Sequence, residues 1–203
     1  MRNAVPRVAL ALAVALAAAG CTATVAGRAA PDPAALSTPP SPTAVPLPPR
    51  EGEFTDAQGR FALVPPAGWV ADTSGVQNTA VLFVDPQPFH ATAGPFSANI
   101  NVLVQERATD LQATVAGVRR ELADVPGYGS TADESVVLAD GTPAHLFGGT
   151  FRHPEIGFEL RNLQLFTVHD GATVIITGTA PVEAWADYEA AIDTSLRTLT
   201  VAA

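Results

Sequence analysis

Eight prolines between Ala30 and Arg50 decide which part of this chain can fold into a domain. Proline has a fixed φ and no amide hydrogen, so a segment this rich in it can form neither helix nor sheet. We predict extended polyproline II and a disordered tether over residues 21–50. Serine and threonine alternate with these prolines, which is also typical of O-glycosylated stalks, so glycosylation of the tether is an open alternative.

The first 20 residues have the pattern of a secretory signal. Arg2 and Arg7 supply a cationic segment, and residues 8–19 carry no polar side chain. At about 1.5 Å per helical residue, this run is too short to cross a hydrocarbon core of roughly 30 Å. We therefore predict a cleaved signal peptide over residues 1–20 and no membrane-spanning helix there.

Small residues precede the only cysteine of the chain. Ala18, Ala19 and Gly20 followed by Cys21 resemble the bacterial lipobox, although the lipobox prefers Leu at the position of Ala18. The resemblance implies cleavage between Gly20 and Cys21 and lipidation of Cys21, which would anchor the mature chain to the extracytoplasmic face of the cell membrane. The alternative is an ordinary buried cysteine. A single cysteine also excludes an intramolecular disulfide.

The charge balance excludes several kinds of partner. The chain has 20 acidic against 11 basic residues, and every basic residue is arginine. A net negative surface argues against nucleic acid and anionic lipid head groups as partners. Without lysine, a phosphate-binding P-loop is excluded. We expect a monomer without a cofactor.

Residues 51–203 alternate apolar and polar side chains between glycine- and aspartate-containing turns, which predicts one domain of strands with two helices. The predicted strands are 54–56, 61–64, 80–84, 97–104, 135–138, 143–150, 158–168 and 172–179. Within strand 158–168 the apolar residues change parity, so we predict a β-bulge near Arg161 and Asn162. The proline-containing connection 85–95 is predicted to be a surface loop.

Two helices complete the domain. Asp110 is the predicted N-cap of the first, and the second is predicted to begin near Pro181. Their apolar stripes are Leu111, Val115, Val118 and Leu122, and Trp185, Tyr188, Ile192 and Leu196. This order of elements predicts an α+β fold, a twisted antiparallel sheet of about six to seven strands with two packed helices.

The lipobox, the tether, residues 61–69, the strand around residues 99–102 and the closing residues 195–197 resemble the actinobacterial LpqN/LpqT-type lipoproteins. These proteins are similar in fold to PsbP and Mog1. The resemblance covers essentially the whole mature chain. It implies a sheet flanked by helices, no cofactor and binding at the cell envelope, with a glycolipid or other apolar ligand, or an envelope transport protein, as the partner. It carries over no catalytic residue.

Five phenylalanines are candidate ligand- or partner-binding residues: Phe83, Phe89, Phe96, Phe147 and Phe151. Plain core packing is the alternative for each of them. Phe89 is the least typical of a core because it lies in the predicted surface loop. An apolar groove without titratable groups would favour a binding module.

The sequence contains little that indicates catalysis. Gly127 to Ser130 places its serine wrongly for a nucleophile elbow, and no other serine has that motif. His153, Glu155 and Glu159 could supply two zinc ligands, but a third is missing, so we predict no metal site. We predict a non-catalytic protein; the alternative function is a hydrolase acting on envelope material, which would need convergent titratable groups in a pocket.

Overall fold

The computed structural model describes residues 50–201, except residues 92–93, 107, 109 and 154–155. The predicted signal peptide with Gly20, and the predicted tether from Cys21 to Pro49, lie outside the described residues, as does Glu155. None of the helices in the described part of the chain has the length and hydropathy that a membrane span requires.

The described residues form short and long strands and two α-helices. The strands are β1 (Phe54–Thr55), β2 (Phe61–Leu63), β3 (Val70–Asp72), β4 (Val81–Val84), β5 (Phe89–Ala91), β6 (Gly94–Phe96), β7 (Asn99–Glu106), β8 (Gly129–Val137), β9 (Pro143–Arg152), β10 (Glu159–His169), β11 (Ala172–Pro181) and β12 (Thr200–Val201). The helices are α1 (Leu111–Asp124) and α2 (Trp185–Arg197). The 3₁₀ turns Val76–Asn78 and Val182–Ala184 precede β4 and α2.

The centre of the domain is a seven-stranded antiparallel sheet in the order β3-β4-β7-β11-β10-β9-β8. A small sheet, β1-β2-β12, and the β5–β6 hairpin lie beside it. The predicted α+β fold with a large antiparallel sheet and two helices is confirmed. The sequence patterns did not indicate β12, which pairs with β2 through two residues.

One face of the large sheet packs against α2, and we call it the α2 face. Ile100 of β7, Ile176 of β11 and Leu165 of β10 lie there, with Ile192 and Leu196 of the helix. These five side chains are fully buried. The predicted apolar stripe of the second helix therefore faces the sheet, and it forms the main core.

Helix α1 packs against the opposite face, which we call the α1 face. Val115 and Val118 contact a layer formed by Phe147, Phe166 and Ile175. Asp110 caps the helix, since its carboxylate accepts a hydrogen bond from the Ala113 amide at 2.7 Å. The predicted N-cap and apolar stripe are confirmed, and helices cover both faces of the sheet.

The bulge predicted near Arg161 and Asn162 is wrong. Strand β10 pairs with β11 in unbroken register from Leu160 to His169, and with β9 over nearly the same length. Leu165 faces α2, whereas Leu160 and Phe166 face the other side. Because both faces are covered, the strand buries apolar residues of both parities without changing its phase.

The predicted surface position of residues 85–95 agrees with the exposure of Pro86, Gln87 and Pro88, but the predicted loop is wrong, because these residues contain most of the β5–β6 hairpin. Phe89 pairs with Phe96, and His90 pairs with Pro95. The Asp85 amide donates to the Ala98 carbonyl at 2.9 Å and closes the base of this hairpin. Pro95 is tolerated because an isolated two-stranded ladder consists entirely of edge strands.

Candidate binding site

The structure separates two of the five candidate phenylalanines from the other three. Phe83 lies in the core of the α2 face, where its ring meets Phe54 edge-on at 5.3 Å between centroids. Phe147 lies beneath α1, and its ring centroid is 5.7 Å from that of Phe166. Both side chains are buried, so their rings already contact core residues when no ligand is bound.

The remaining candidates, Phe89, Phe96 and Phe151, come together at one end of the α1 face. Phe96 and Phe151 belong to a buried group with Phe158 and Leu160, which we call the aromatic cluster. The rings of Phe96 and Phe158 are 5.4 Å apart. Phe89 is half-buried and lies across from Phe96 in the hairpin. Three of the five predicted site residues thus lie at or next to this cluster.

Tyr128 borders the aromatic cluster. Its ring packs directly against Gly149, where any β-carbon would overlap it. Burial, helped by the negative charge of Asp133, raises the pKa of Tyr128 to about 12. The phenol is therefore protonated at neutral pH and adds an uncharged hydroxyl to this end of the sheet.

Beside the aromatic cluster, the three central strands carry buried polar side chains on the α1 face. They form two rows across β7, β11 and β10, set by the strand register. Each is at most 8% exposed. We call this group the polar patch, and its members are Asn101, Thr177 and Gln164 in the first row and Asn99, Thr179 and Asn162 in the second.

The polar patch lies between two apolar clusters. Along β10 the side chains on the α1 face are, in order, Leu160, Asn162, Gln164 and Phe166. Leu160 belongs to the aromatic cluster, and Phe166 belongs to the layer beneath α1. Polar residues thus interrupt what would otherwise be a continuous apolar surface beneath the α1 side of the domain.

Several polar atoms of the patch lack a hydrogen-bond partner. Gln164 Nε2 donates to Thr177 Oγ1 at 3.0 Å, and Asn99 Nδ2 donates to the Ser97 carbonyl at 3.2 Å. In the part of the chain that the structure describes, Asn99 Oδ1, Asn162 Oδ1 and both amide atoms of Asn101 are buried and unpartnered. An unpaired buried polar group costs about 1–3 kcal/mol. The patch therefore has unsatisfied donors as well as unsatisfied acceptors.

Nothing in the predicted strand faces singled out the polar patch as a site. Polar residues at every second position of a strand are typical of a face exposed to water. The available signal was the parity change of strand 158–168: Asn162 and Gln164 fall between Leu160 and Phe166, on a face that is apolar at both ends. If both faces of this strand are taken to be buried, the same pattern indicates that Asn162 and Gln164 are buried polar residues.

A network around Asp133 attaches α1 to the edge of the sheet. Arg119 Nη2 and Nε donate to Asp133 at 2.6 and 2.8 Å, and His145 Nε2 lies 2.7 Å from the same carboxylate. Ser135 Oγ lies 3.4 Å from His145 Nδ1. Serine, histidine and aspartate are also the residues of hydrolase triads. Here Arg119 donates hydrogen bonds to both carboxylate oxygens of Asp133, so we interpret the network as structural.

Asp133 is expected to make stability depend on acidic pH. The Arg119 hydrogen bonds, with a smaller contribution from His145, lower the pKa of Asp133 to about 2. A carboxylate with a depressed pKa stabilises the fold above its unfolded pKa of about 4, and this contribution is lost as pH falls towards 2. The melting temperature of Asp133→Asn should lie below that of the wild type at pH 7, and the difference should shrink between about pH 4 and 2. A difference independent of pH would contradict this assignment.

His153 and Glu159, which were considered as zinc ligands, do not belong to a metal site within the described residues. His153 is buried, and Glu159 is exposed at the start of β10. The described residues contain no group of three histidine, cysteine, aspartate or glutamate side chains placed to hold a metal ion.

A separate cavity of about 460 Å³ lies between the β1–β2 hairpin and the connection from β3 to β4. Phe54, Ala80 and Val104 are among its lining residues, as are Asp56 and Arg60. Arg60 donates to both oxygens of Asp56 at 2.7 and 3.0 Å, so the two charges offset each other. Because these groups are already paired, the cavity is a weaker candidate than the polar patch.

Comparison of the sequence with protein-family models and with curated proteins gives no match. The structure resembles solved structures instead. Cyanobacterial PsbP from Synechocystis is 15% identical with a TM-score of 0.52, covering 74% of this chain and 91% of that protein. LpqN of Mycobacterium tuberculosis is 16% identical with a TM-score of 0.52, covering 70% of this chain and 83% of LpqN.

A protein of unknown function from Pseudomonas aeruginosa is 18% identical with a TM-score of 0.50, covering 70% of this chain and 92% of that protein. At such identities the likeness shows a shared fold and does not carry over a function. The chain therefore has the PsbP-like fold that its sequence resemblance implied, whereas membership of the LpqN/LpqT-type lipoproteins stays a prediction.

Proposed function

We propose that this protein is a cell-envelope lipoprotein whose domain binds, without catalysis, an amphipathic ligand with an uncharged, hydroxyl-rich head group, as in a glycolipid. The observation that carries the proposal is the set of unpartnered buried amide atoms in the polar patch, next to the aromatic cluster. The head group would meet the patch, and the apolar chain would lie against the cluster.

The chemistry of the patch favours hydroxyl groups. Asn101 offers an unpartnered donor and an unpartnered acceptor, and Asn99 and Asn162 each offer an acceptor. A hydroxyl group both donates and accepts, so neighbouring hydroxyls on one ligand can satisfy this mixed set. The six patch side chains are uncharged and would give a charged head group no counter-ion.

The aromatic cluster supplies the complementary apolar surface. Phe96 and Phe151 lie beside the second row of the patch, and half-buried Phe89 lies opposite Phe96. Ligand sites typically combine mostly apolar walls with a few placed polar groups. Phe83 and Phe147, packed in other clusters, are not part of the proposed site.

The proposed location rests on the predicted signal peptide and on Cys21. The solved structure of LpqN is described as that of a protein involved in cell envelope biogenesis, and a role in the envelope is part of our proposal for this chain. An envelope transport protein that delivers or receives the ligand would be its partner. The hydrolase alternative has less support because none of the six patch side chains is titratable, so the patch by itself supplies no acid–base pair.

Mass spectrometry of the lipoprotein purified from its native membrane tests the proposed ligand. We expect a bound molecule that combines acyl chains with an uncharged head group bearing several hydroxyls, since such a head supplies both the donors and the acceptors that the patch requires. Extraction in a detergent without hydroxyl groups avoids replacement of the ligand. Recovery of anionic phospholipid alone, or of ligand-free protein, would contradict the proposal.

Cys21→Ser tests the proposed attachment. The variant should fold normally but move from the membrane fraction to the soluble fraction, because a hydroxyl cannot replace the thiolate that takes the lipid. Acyl chains contribute about 0.8 kcal/mol per buried CH₂ to membrane binding, so their loss should release nearly all of the protein. Fractionation in high salt followed by immunoblotting measures this, and a variant that still sediments with membranes would rule out the lipid anchor.

A further inference from the structure

Glu121 of α1 has a buried oxygen that no hydrogen bond satisfies. Its Oε2 is unpartnered within the described residues, and its side chain is partly buried. Burial raises the pKa of this carboxyl group, while the positive charge of Arg120 acts in the opposite direction. Acidic residues are rarely buried without a partner, so the position of Glu121 calls for a physical reason.

The helix geometry directs Glu121 towards the central strands. Successive helical residues are rotated by about 100°, so Glu121 lies about 200° around the axis from Arg119. Arg119 reaches Asp133 on the edge strand β8. Glu121 therefore projects from the opposite flank of α1, on the side of β11 and β7. Thr114 and Gly117, both buried, lie on the same flank.

The level of Glu121 along the helix matches that of the polar patch. Strand pairing places Asp133 opposite Phe147, and Phe147 opposite Gln164 of the first row. Arg119 pairs with Asp133, and its guanidinium carbon lies 5.9 Å from the centroid of the Phe147 ring, so this part of α1 lies near the first row. Glu121 lies about 3 Å farther along the axis, in the direction of Tyr128, whose ring packs on Gly149 opposite Asn162 of the second row.

The geometry points to Glu121 as the specificity-determining residue of the polar patch: it accepts hydrogen bonds from head-group hydroxyls and excludes anionic head groups. This inference rests on the proposed function. An ionised carboxylate only accepts hydrogen bonds, so it complements a hydroxyl donor. A phosphate beside it would place two negative charges together at a partly buried position, where like charges repel more than they do in open solvent.

Two probes with the same dodecyl-length chain separate these effects: n-dodecyl-β-maltoside, which is uncharged, and lauroyl lysophosphatidylglycerol, which is anionic. The full mature chain carrying Cys21→Ser would be titrated with each below its micelle concentration by isothermal calorimetry. We expect the maltoside to bind at least about tenfold more tightly. Glu121→Gln should reduce this preference by about tenfold, chiefly by strengthening binding of the anionic probe.

Asp124→Asn is the matched control, because it removes the same charge from an exposed position of the same helix. It should leave the preference unchanged. Glu121→Gln is nearly isosteric, and circular dichroism would verify its fold. A wild type that binds neither probe would overturn the proposed function, and this inference with it. Maltoside binding by the wild type, with a preference that Glu121→Gln leaves unchanged, would overturn the role of Glu121 alone.

Discussion

Gly178→Ala is expected to lower the free energy of unfolding by on the order of 3 kcal/mol. Gly178 lies in β11 directly beneath α2, where a β-carbon would overlap Cγ2 of Ile192 and lie 3.3 Å from its Cβ. Ile192 is fully buried and cannot move aside without displacing the helix. The added methyl group should therefore push α2 away from the sheet and loosen the main core, which lies between them.

Urea denaturation of the single and double variants measures this effect. Ile192→Ala removes Cγ2 and should itself cost about 2–5 kcal/mol. Because the same change removes the overlap, Gly178→Ala should cost less than about 1 kcal/mol when introduced into Ile192→Ala. Strictly additive costs would show that the glycine is needed for a reason other than close packing of α2.

Asn101→Leu is expected to have opposite effects on stability and on binding. Asn101 is 1% exposed, and both of its amide atoms are unpartnered among the described residues. Leucine has a similar size, so the substitution removes two unpaired polar groups from the sheet without creating a cavity. Stability should rise by about 1–2 kcal/mol. Binding of dodecyl maltoside should fall by more than about tenfold, because the head group loses a donor and an acceptor.

Thr173→Val is the matched control for Asn101→Leu. Thr173 is also buried and lies on β11 on the same face of the sheet, but outside the polar patch. Its replacement should change stability by about 1 kcal/mol or less and leave maltoside affinity unaltered. Calorimetric titration and chemical denaturation of both variants give the two quantities. Unchanged affinity in Asn101→Leu would remove the patch from the ligand site.

Turns and helix caps, which depend only on residues close together in the sequence, were predicted correctly. The predicted strands 158–168 and 172–179 are joined by a tight turn at Asp170 and Gly171, with φ of 47° and 76°, because aspartate and glycine tolerate the left-handed conformation that a tight hairpin needs. Asp110 caps α1 because a carboxylate three residues before an amide can accept its hydrogen bond. Such interactions are complete within a few residues and do not depend on the rest of the fold.

The sequence did not distinguish the phenylalanines of the aromatic cluster from those of the other clusters. Phe89, Phe96 and Phe151 lie at or next to the aromatic cluster, but the same sequence argument also selected Phe83 and Phe147, which belong to other clusters. A phenylalanine on a strand has the same local pattern in each case. Strand pairing and the face on which each ring lies, which involve residues far apart in sequence, separate the five.

By itself the sequence determined the helix stripes, the α+β class and the strand pair joined by Asp170 and Gly171, because apolar spacing and turn residues act over short distances. The tertiary structure alone decided that Asn101, Gln164 and their neighbours are buried and that β10 needs no bulge. The physical reason is that alternation along a strand shows which residues share a face, whereas burial of that face depends on distant segments that pack over it, here α1 and the apolar clusters beside the patch.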